Sequence, residues 1–270
     1  MARWTLGDIP WDRFDPSKVD PDLLAIAKAA SLVERNGGDY ATYLCSVFAD
    51  DPELQPVARA WGQEEVQHGM ALGRWARMAD PSYDFEGAFA RFAEVIRLPL
   101  DARASVRGSR AGELVARCMV EVGTSSYYTA LADRCEEPVL QAICRRIAAD
   151  ELRHYKLFYT YLDRYLAREG LGFWGRLRVA AGRIGESEDD ELAFAFHAAN
   201  ANDRPYDRKR ANRAYARRAY ALYRRPHVER GLAMVFKAIG LNPRGRLHRL
   251  ATALAWAYIS TRARRLAQAA

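Results

Sequence analysis

Four stretches of this chain place small or apolar residues at alternating steps of three and four, the period of an α-helix, and each breaks its own stripe near the middle with a glutamate. In the first, Leu23, Ala27, Ala30, Glu34, Gly37, Ala41, Leu44 and Phe48 share a face, and in the second Leu54, Ala58, Trp61, Glu65, His68, Leu72 and Trp75 do. The third runs through Leu114, Cys118, Glu121, Ser125, Tyr128 and Ala132, the fourth through Leu140, Cys144, Ile147, Glu151, His154, Phe158 and Tyr165. A helix with one apolar face must bury it against another, so the chain reads as all-α. A carboxylate buried unpaired in such a face costs several kcal/mol, so something positive has to meet each of the four.

Helix punctuation supports this division. The stretch "ADDPE" (49–53) supplies an Asp cap with a proline in the first turn, and "CEEPV" (135–139) makes a tight break between the third and fourth helices. The link between the second and third helices, about 80–112, is long, and "FEGAFARFAEVIRL" (85–98) within it reads as a short amphipathic helix crossing over. Two hairpins joined by one crossover is the connectivity of ferritin-like four-helix bundles. The expected organisation is such a bundle over residues 1–170, followed by additional C-terminal helices over 171–270, packed on it.

Charge separates the two parts. Of the 41 Lys and Arg, 17 lie in residues 204–270 beside only two acidic residues, so the end of the chain is strongly basic and the remainder acidic. "GFWGRLRVAAGRIG" (172–185) reads as a basic amphipathic helix, "SEDDELAFAFHAAN" (187–200) as a helix with an acidic cap, and "RKRANRAYARRAYALYRR" (208–225) as a basic helix interleaved with tyrosines. The N-terminal "MARWTLGDIPWDRFDP" has charges and prolines where a signal peptide has an apolar run, and no apolar run approaches membrane-spanning length, so a cytoplasmic protein is expected. Cys45, Cys118, Cys135 and Cys144 form no CxxC pair and read as reduced thiols in helices.

Residues three apart on a helix project from nearly the same side, so Glu65 with His68, and Glu151 with His154, each offer an oxygen and a nitrogen to one point. Chance gives roughly 0.3 Glu-x-x-His pairs in a sequence with five histidines. Two such pairs in apolar stripes, each preceded by a helix with a lone Glu, make a set of four carboxylates and two imidazoles. That is the ligand set of di-iron and di-manganese carboxylate proteins, with Glu34, Glu65, His68, Glu121, Glu151 and His154 as candidate ligands. His197, His227 and His248 lack the spacing and read as structural or surface residues. Asp150 is placed to accept the free ring N–H of a metal-bound histidine, and Thr124 to put a hydroxyl beside bound oxygen, although an exposed Asp and a Thr back-bonded to its own helix fit the spacing as well.

"WGQEEVQHG" (61–69), "EVGT" (121–124) and "AADELRH" (148–154) resemble the corresponding motifs of the soluble acyl-carrier-protein desaturases, ferritin-like di-iron enzymes, over roughly residues 20–168. Gln67 stands where that family has Arg. The resemblance implies the same six ligands, with Asp150 as the carboxylate behind a ligand histidine and Thr124 as the oxygen-site residue. It implies two iron ions, with manganese as the alternative, dioxygen as co-substrate, and removal of hydrogen from, or hydroxylation of, an acyl chain on acyl carrier protein or coenzyme A, with a ferredoxin-type electron donor and a homodimer. The basic end would then steer an acidic carrier or thioester, or lie on an anionic membrane surface with Trp174 as anchor. Two other expectations are a ferroxidase or iron-handling protein and a ferritin-like tRNA hydroxylase, with nucleic acid ranked below carrier or lipid as the partner.

Overall fold

The computed structural model describes residues 4–186, 190–201 and 203–268. Among them there is no strand: after three short 3-10 turns the chain forms α1 (Pro21–Arg35), α2 (Gly37–Val47), α3 (Leu54–Ala79), α4 (Phe85–Val95), α5 (Arg110–Arg134) and α6 (Pro138–Glu169). Then follow α7 (Phe173–Gly185), α8 (Asp190–Asn200), α9 (Arg208–Leu222), α10 (Arg225–Ile239) and α11 (Arg246–Gln268). The expected all-helical class is therefore what the chain adopts. The signal-peptide reading at the N-terminus includes residues 1–3, and the acidic cap expected at 187–189 falls in the second gap, so both lie in part outside the described residues.

One expected helix is divided. The stripe from Leu23 to Phe48 is broken at Asn36 between α1 and α2, where two glycines follow in sequence. A Cβ on Gly37 would collide with the Cβ of Glu65, so the chain passes α3 there at a distance only glycine allows. The Asp cap and the tight break are where the sequence suggests, but Pro52 precedes the first turn of α3, which starts at Leu54. Asp51 accepts from the backbone N–H groups of Glu53 (3.1 Å) and Leu54 (3.0 Å) at the start of α3. Buried Glu137 accepts from those of Val139 (3.2 Å) and Leu140 (2.7 Å) at the start of α6.

The chain divides into two compact units, neither of them a continuous stretch: one is Met1–Ala102, Leu131–Arg146 and Glu188–Ala219, the other Arg103–Ala130, Ile147–Ser187 and Tyr220–Ala270. In the first unit α3 packs on α1 and α2, and α8 packs on α1 and α4. Ile26, Leu32, Leu44, Phe48, Leu72, Trp75 and Phe92 are fully buried there. Trp75 Nε1 donates to Glu137 at 2.7 Å, so a core indole also fixes the carboxylate that caps α6. The N-terminal segment is tied to the same unit: Arg74 lies over the Trp11 ring, and Arg146 donates to the Asp8 carbonyl at 2.9 Å.

In the second unit α7 and α11 both pack on α10. Leu114, Tyr128, Phe158 and Leu162 are buried. α10 meets α5 where Gly231 faces the Ser126 hydroxyl, and Tyr155 on α6 donates to the Met234 carbonyl at 2.8 Å. A bidentate Arg107–Glu186 pair (2.6 and 2.7 Å) ties the segment before α5 to the end of α7. Among the described residues no helix is long and apolar enough to cross a membrane.

Candidate functional site

In the first unit the end of α1 and the middle of α3 bring Glu34, Glu65 and His68 together. All three are buried, and each offers a ligand atom within 4.8 Å of the other two. His68 Nδ1 lies 3.4 Å from Glu34 Oε2 and 3.9 Å from Glu65 Oε2. The close approach has a local cause in three glycines: Gly37 against Glu65, Gly62 against Ala41, and Gly69, where a Cβ would stand 2.7 Å from the Arg35 Cα. Nothing larger than hydrogen fits at these points, so α1 and α2 can run close enough to α3 for side chains as short as Glu to converge.

The other face of His68 is covered. The Trp4 ring stacks on the imidazole with centroids 5.8 Å apart and planes 7° from parallel, and Gln67 Nε2 donates to the Trp4 carbonyl at 3.0 Å. Gln67, the residue that departs from the desaturase pattern, thus holds the N-terminal segment over the histidine next to it. Sequence reading gave Trp4 no role. It lies in a segment without periodicity and 64 positions from His68, so only the tertiary fold pairs them.

In the second unit Glu121 of α5 meets Glu151 and His154 of α6, again all buried and with ligand atoms within 4.8 Å of one another. His154 Nδ1 lies 3.6 Å from Glu121 Oε2 and 3.8 Å from Glu151 Oε2. Burial, and then the charge of Glu151, push the Glu121 carboxyl up to about 8, with His154 pulling the other way. Neither Glu121 oxygen receives a hydrogen bond. A fully buried carboxylate without a donor is unusual, and a cation beside it would resolve both the missing bonds and the raised pKa.

Each triad, taken by itself, is two carboxylates and one imidazole around a point. Hard oxygens with one borderline nitrogen suit a divalent first-row ion, and two negative charges balance it. The buried Glu and His groups can therefore hold metal, and their chemistry fits iron or manganese.

The remaining expected residues fall as follows. The Thr124 hydroxyl is 2.7 Å from Glu151 Oε2, with the Val120 carbonyl at 3.2 Å, so it meets both a ligand carboxylate and its own helix. Asp150 is buried and accepts from Arg153 Nη1, one turn along α6. His197 packs against Phe194 and Tyr206, His227 Nδ1 accepts from the Arg224 backbone N–H (3.1 Å), and His248 Nε2 bonds with the Glu229 carbonyl (3.1 Å). These three histidines serve packing and capping. All four cysteines are free thiols, three of them buried.

Part of the basic segment 208–225 is engaged in ion pairs with acidic residues of the same unit. Arg217 and Arg218 pair with Asp22 at 3.1 and 2.8 Å, Arg218 also lies over the Phe196 ring, and Arg208 pairs with Asp190 at 2.6 Å. No family model matches the chain, and no curated protein does.

Proposed function

We propose that the two triads are the ligands of a ferritin-like di-iron protein, and that the protein is a dioxygen-dependent oxidoreductase. The observation that carries this reading is the duplication of one buried set, two carboxylates and an imidazole, in which Glu121 takes no hydrogen bond. A reduced iron pair, when bound, supplies the oxygen-activating chemistry that an unactivated C–H bond demands. The chain's own part would be to hold it, with Glu34, Glu65 and His68 as one set of ligands and Glu121, Glu151 and His154 as the other. Trp4 keeps water from the ring of His68, and Thr124 orients Glu151 through its hydroxyl. Asp150, next to Glu151, positions a ligand histidine. The substrate class that the motif resemblance favours is an acyl chain on acyl carrier protein or coenzyme A, desaturated or hydroxylated.

The test is anaerobic loading with ferrous iron, followed by metal analysis and Mössbauer spectroscopy before and after air. Two antiferromagnetically coupled irons per chain after oxidation, in a protein that then consumes oxygen with an acyl thioester, are the expected result. Two uncoupled irons would mean that each triad binds an ion of its own, and less than one iron per chain would remove the metal reading altogether. Turnover of iron without any organic substrate would move the function to a ferroxidase.

A further inference from the structure

The last helix carries a surface that neither the triads nor the core uses. Leu247, Leu250, Leu254 and Tyr258 of α11 are 56, 57, 64 and 59 % exposed. Their spacing of three, four and four puts them within roughly 80° of arc on one face of the helix. His248 and Thr252, the buried residues of α11, lie towards the opposite side, where the helix meets α10. A row of large apolar side chains facing water is uncommon unless something covers it.

The charges around that row say what kind of surface would. Arg246, Arg249, Arg264 and Arg265 are exposed on α11, and the sequence holds no Asp or Glu from residue 230 to its end. Arg246 and Arg264 fall beside the apolar row in helical projection, and Arg265 continues it. Two copies of this face brought together would set Arg246, Arg264 and Arg265 against the same three arginines with no carboxylate of α11 between them, which disfavours self-association. An acidic protein would answer the charge but has no reason to want an unbroken leucine row. An anionic bilayer answers both, since apolar side chains enter the acyl boundary while arginines remain among the headgroup phosphates.

We infer that α11 docks the protein on an anionic lipid surface, with Leu247, Leu250, Leu254 and Tyr258 inserted and Arg246, Arg264 and Arg265 at headgroup level. This surface is distinct from the Arg217 and Arg218 region, whose charges pair with Asp22. It does not depend on the metal reading. Trp174, 77 % exposed at the start of α7, belongs to the same unit and lies on a helix that also packs on α10.

Co-sedimentation of the full chain with phosphatidylcholine vesicles, with and without phosphatidylglycerol, tests the inference. Binding is expected only where phosphatidylglycerol is present, weakening as salt is raised. Leu250→Glu with Leu254→Glu should lower the partition coefficient roughly tenfold or more, with an unchanged circular dichroism spectrum because both side chains are exposed. Arg246→Glu with Arg264→Glu should lower it too, and restore nothing on neutral vesicles. Equal binding to both vesicle types, binding to neither, or indifference to the leucine changes would overturn the inference. So would a dimer in sedimentation velocity that Leu254→Glu dissociates, which would make this face a contact between copies of the chain.

Discussion

Around Glu34, Glu65 and His68, the glycines at 37, 62 and 69 each stand where a methyl group would strike a neighbouring helix, whereas Gly123, two residues after Glu121, faces open space. Around Glu121, Glu151 and His154 the orienting contact is instead a side chain, the Thr124 hydroxyl on Glu151. The same three ligand types are thus placed by two different physical means. In the first unit geometry is fixed by how closely backbones can approach, so it is stiff and intolerant of volume. In the second it is tuned by charge and hydrogen bonding, so it responds to pH and to single polar atoms.

The largest effect should come from adding one methyl group to each. Gly69→Ala places a Cβ 2.7 Å from the Arg35 Cα, so the backbone must move, at a cost of about 3 kcal/mol. Because Arg35 follows Glu34 in the chain, the same shift should also lower the metal content. Gly123→Ala, with nothing within 4 Å, should instead raise stability by about 0.5 to 1 kcal/mol through helix propensity alone. Urea unfolding of the two variants, with metal analysis after loading, checks the contrast. If both variants were neutral, the close approach of α1 to α3 would not be what holds the first triad.

A second, intermediate effect belongs to the electrostatic triad. A Glu121 carboxyl at about 8 in the folded chain, against an ordinary 4.5, binds more protons folded than unfolded between those values. Stability of the metal-free protein should therefore fall as pH rises through that window. Metal reverses the sign: ligation needs the carboxylate, so affinity should climb over the same range as the proton is displaced. Thermal melts of the metal-free protein at pH 5 and pH 8 should show the decline, and Glu121→Gln should flatten it. A metal-free melting temperature that rises across the window would refute the picture of a carboxyl held neutral by burial and Glu151.

These contrasts also mark how far sequence carries the argument. Glu65 beside His68, and Glu151 beside His154, follow from a spacing of three on a helix, and Glu34 and Glu121 from their central places in small-residue stripes. The cap at Asp51 and the break at 135–139 are equally local, and so are easily read. The break at Asn36 is not, because it answers to Glu65 across the packing of α2 on α3. Nor is Trp4 over His68, a contact between an aperiodic segment and a distant helix. The arginines of α9 show the same limit. A run of like charge in sequence cannot say that Arg217 and Arg218 pair with Asp22 while Arg246, Arg264 and Arg265 of α11 stay exposed. Periodicity reports which face of a helix is apolar, and the pairing of faces is a tertiary fact.

The smallest effect isolates a single proton. The Thr124 hydroxyl has one hydrogen and three acceptors within reach, Glu151 Oε2 at 2.7 Å and the Val120 and Glu121 carbonyls of its own helix at 3.2 and 3.4 Å. If it donates to Glu151, Thr124→Val removes a hydrogen bond to a charged group and should cost about 1.5 kcal/mol. It should also lower metal affinity roughly tenfold, as loss of a group behind a ligand commonly does. Thr124→Ser, which keeps the hydroxyl, should recover most of the affinity, while a purely structural role would leave Val the better mimic of the threonine shape. If the proton instead goes to Val120, the Val variant should bind metal as the parent does, because only a helix back-bond is lost. Metal titrations of the two variants separate these cases, and the shorter distance favours Glu151.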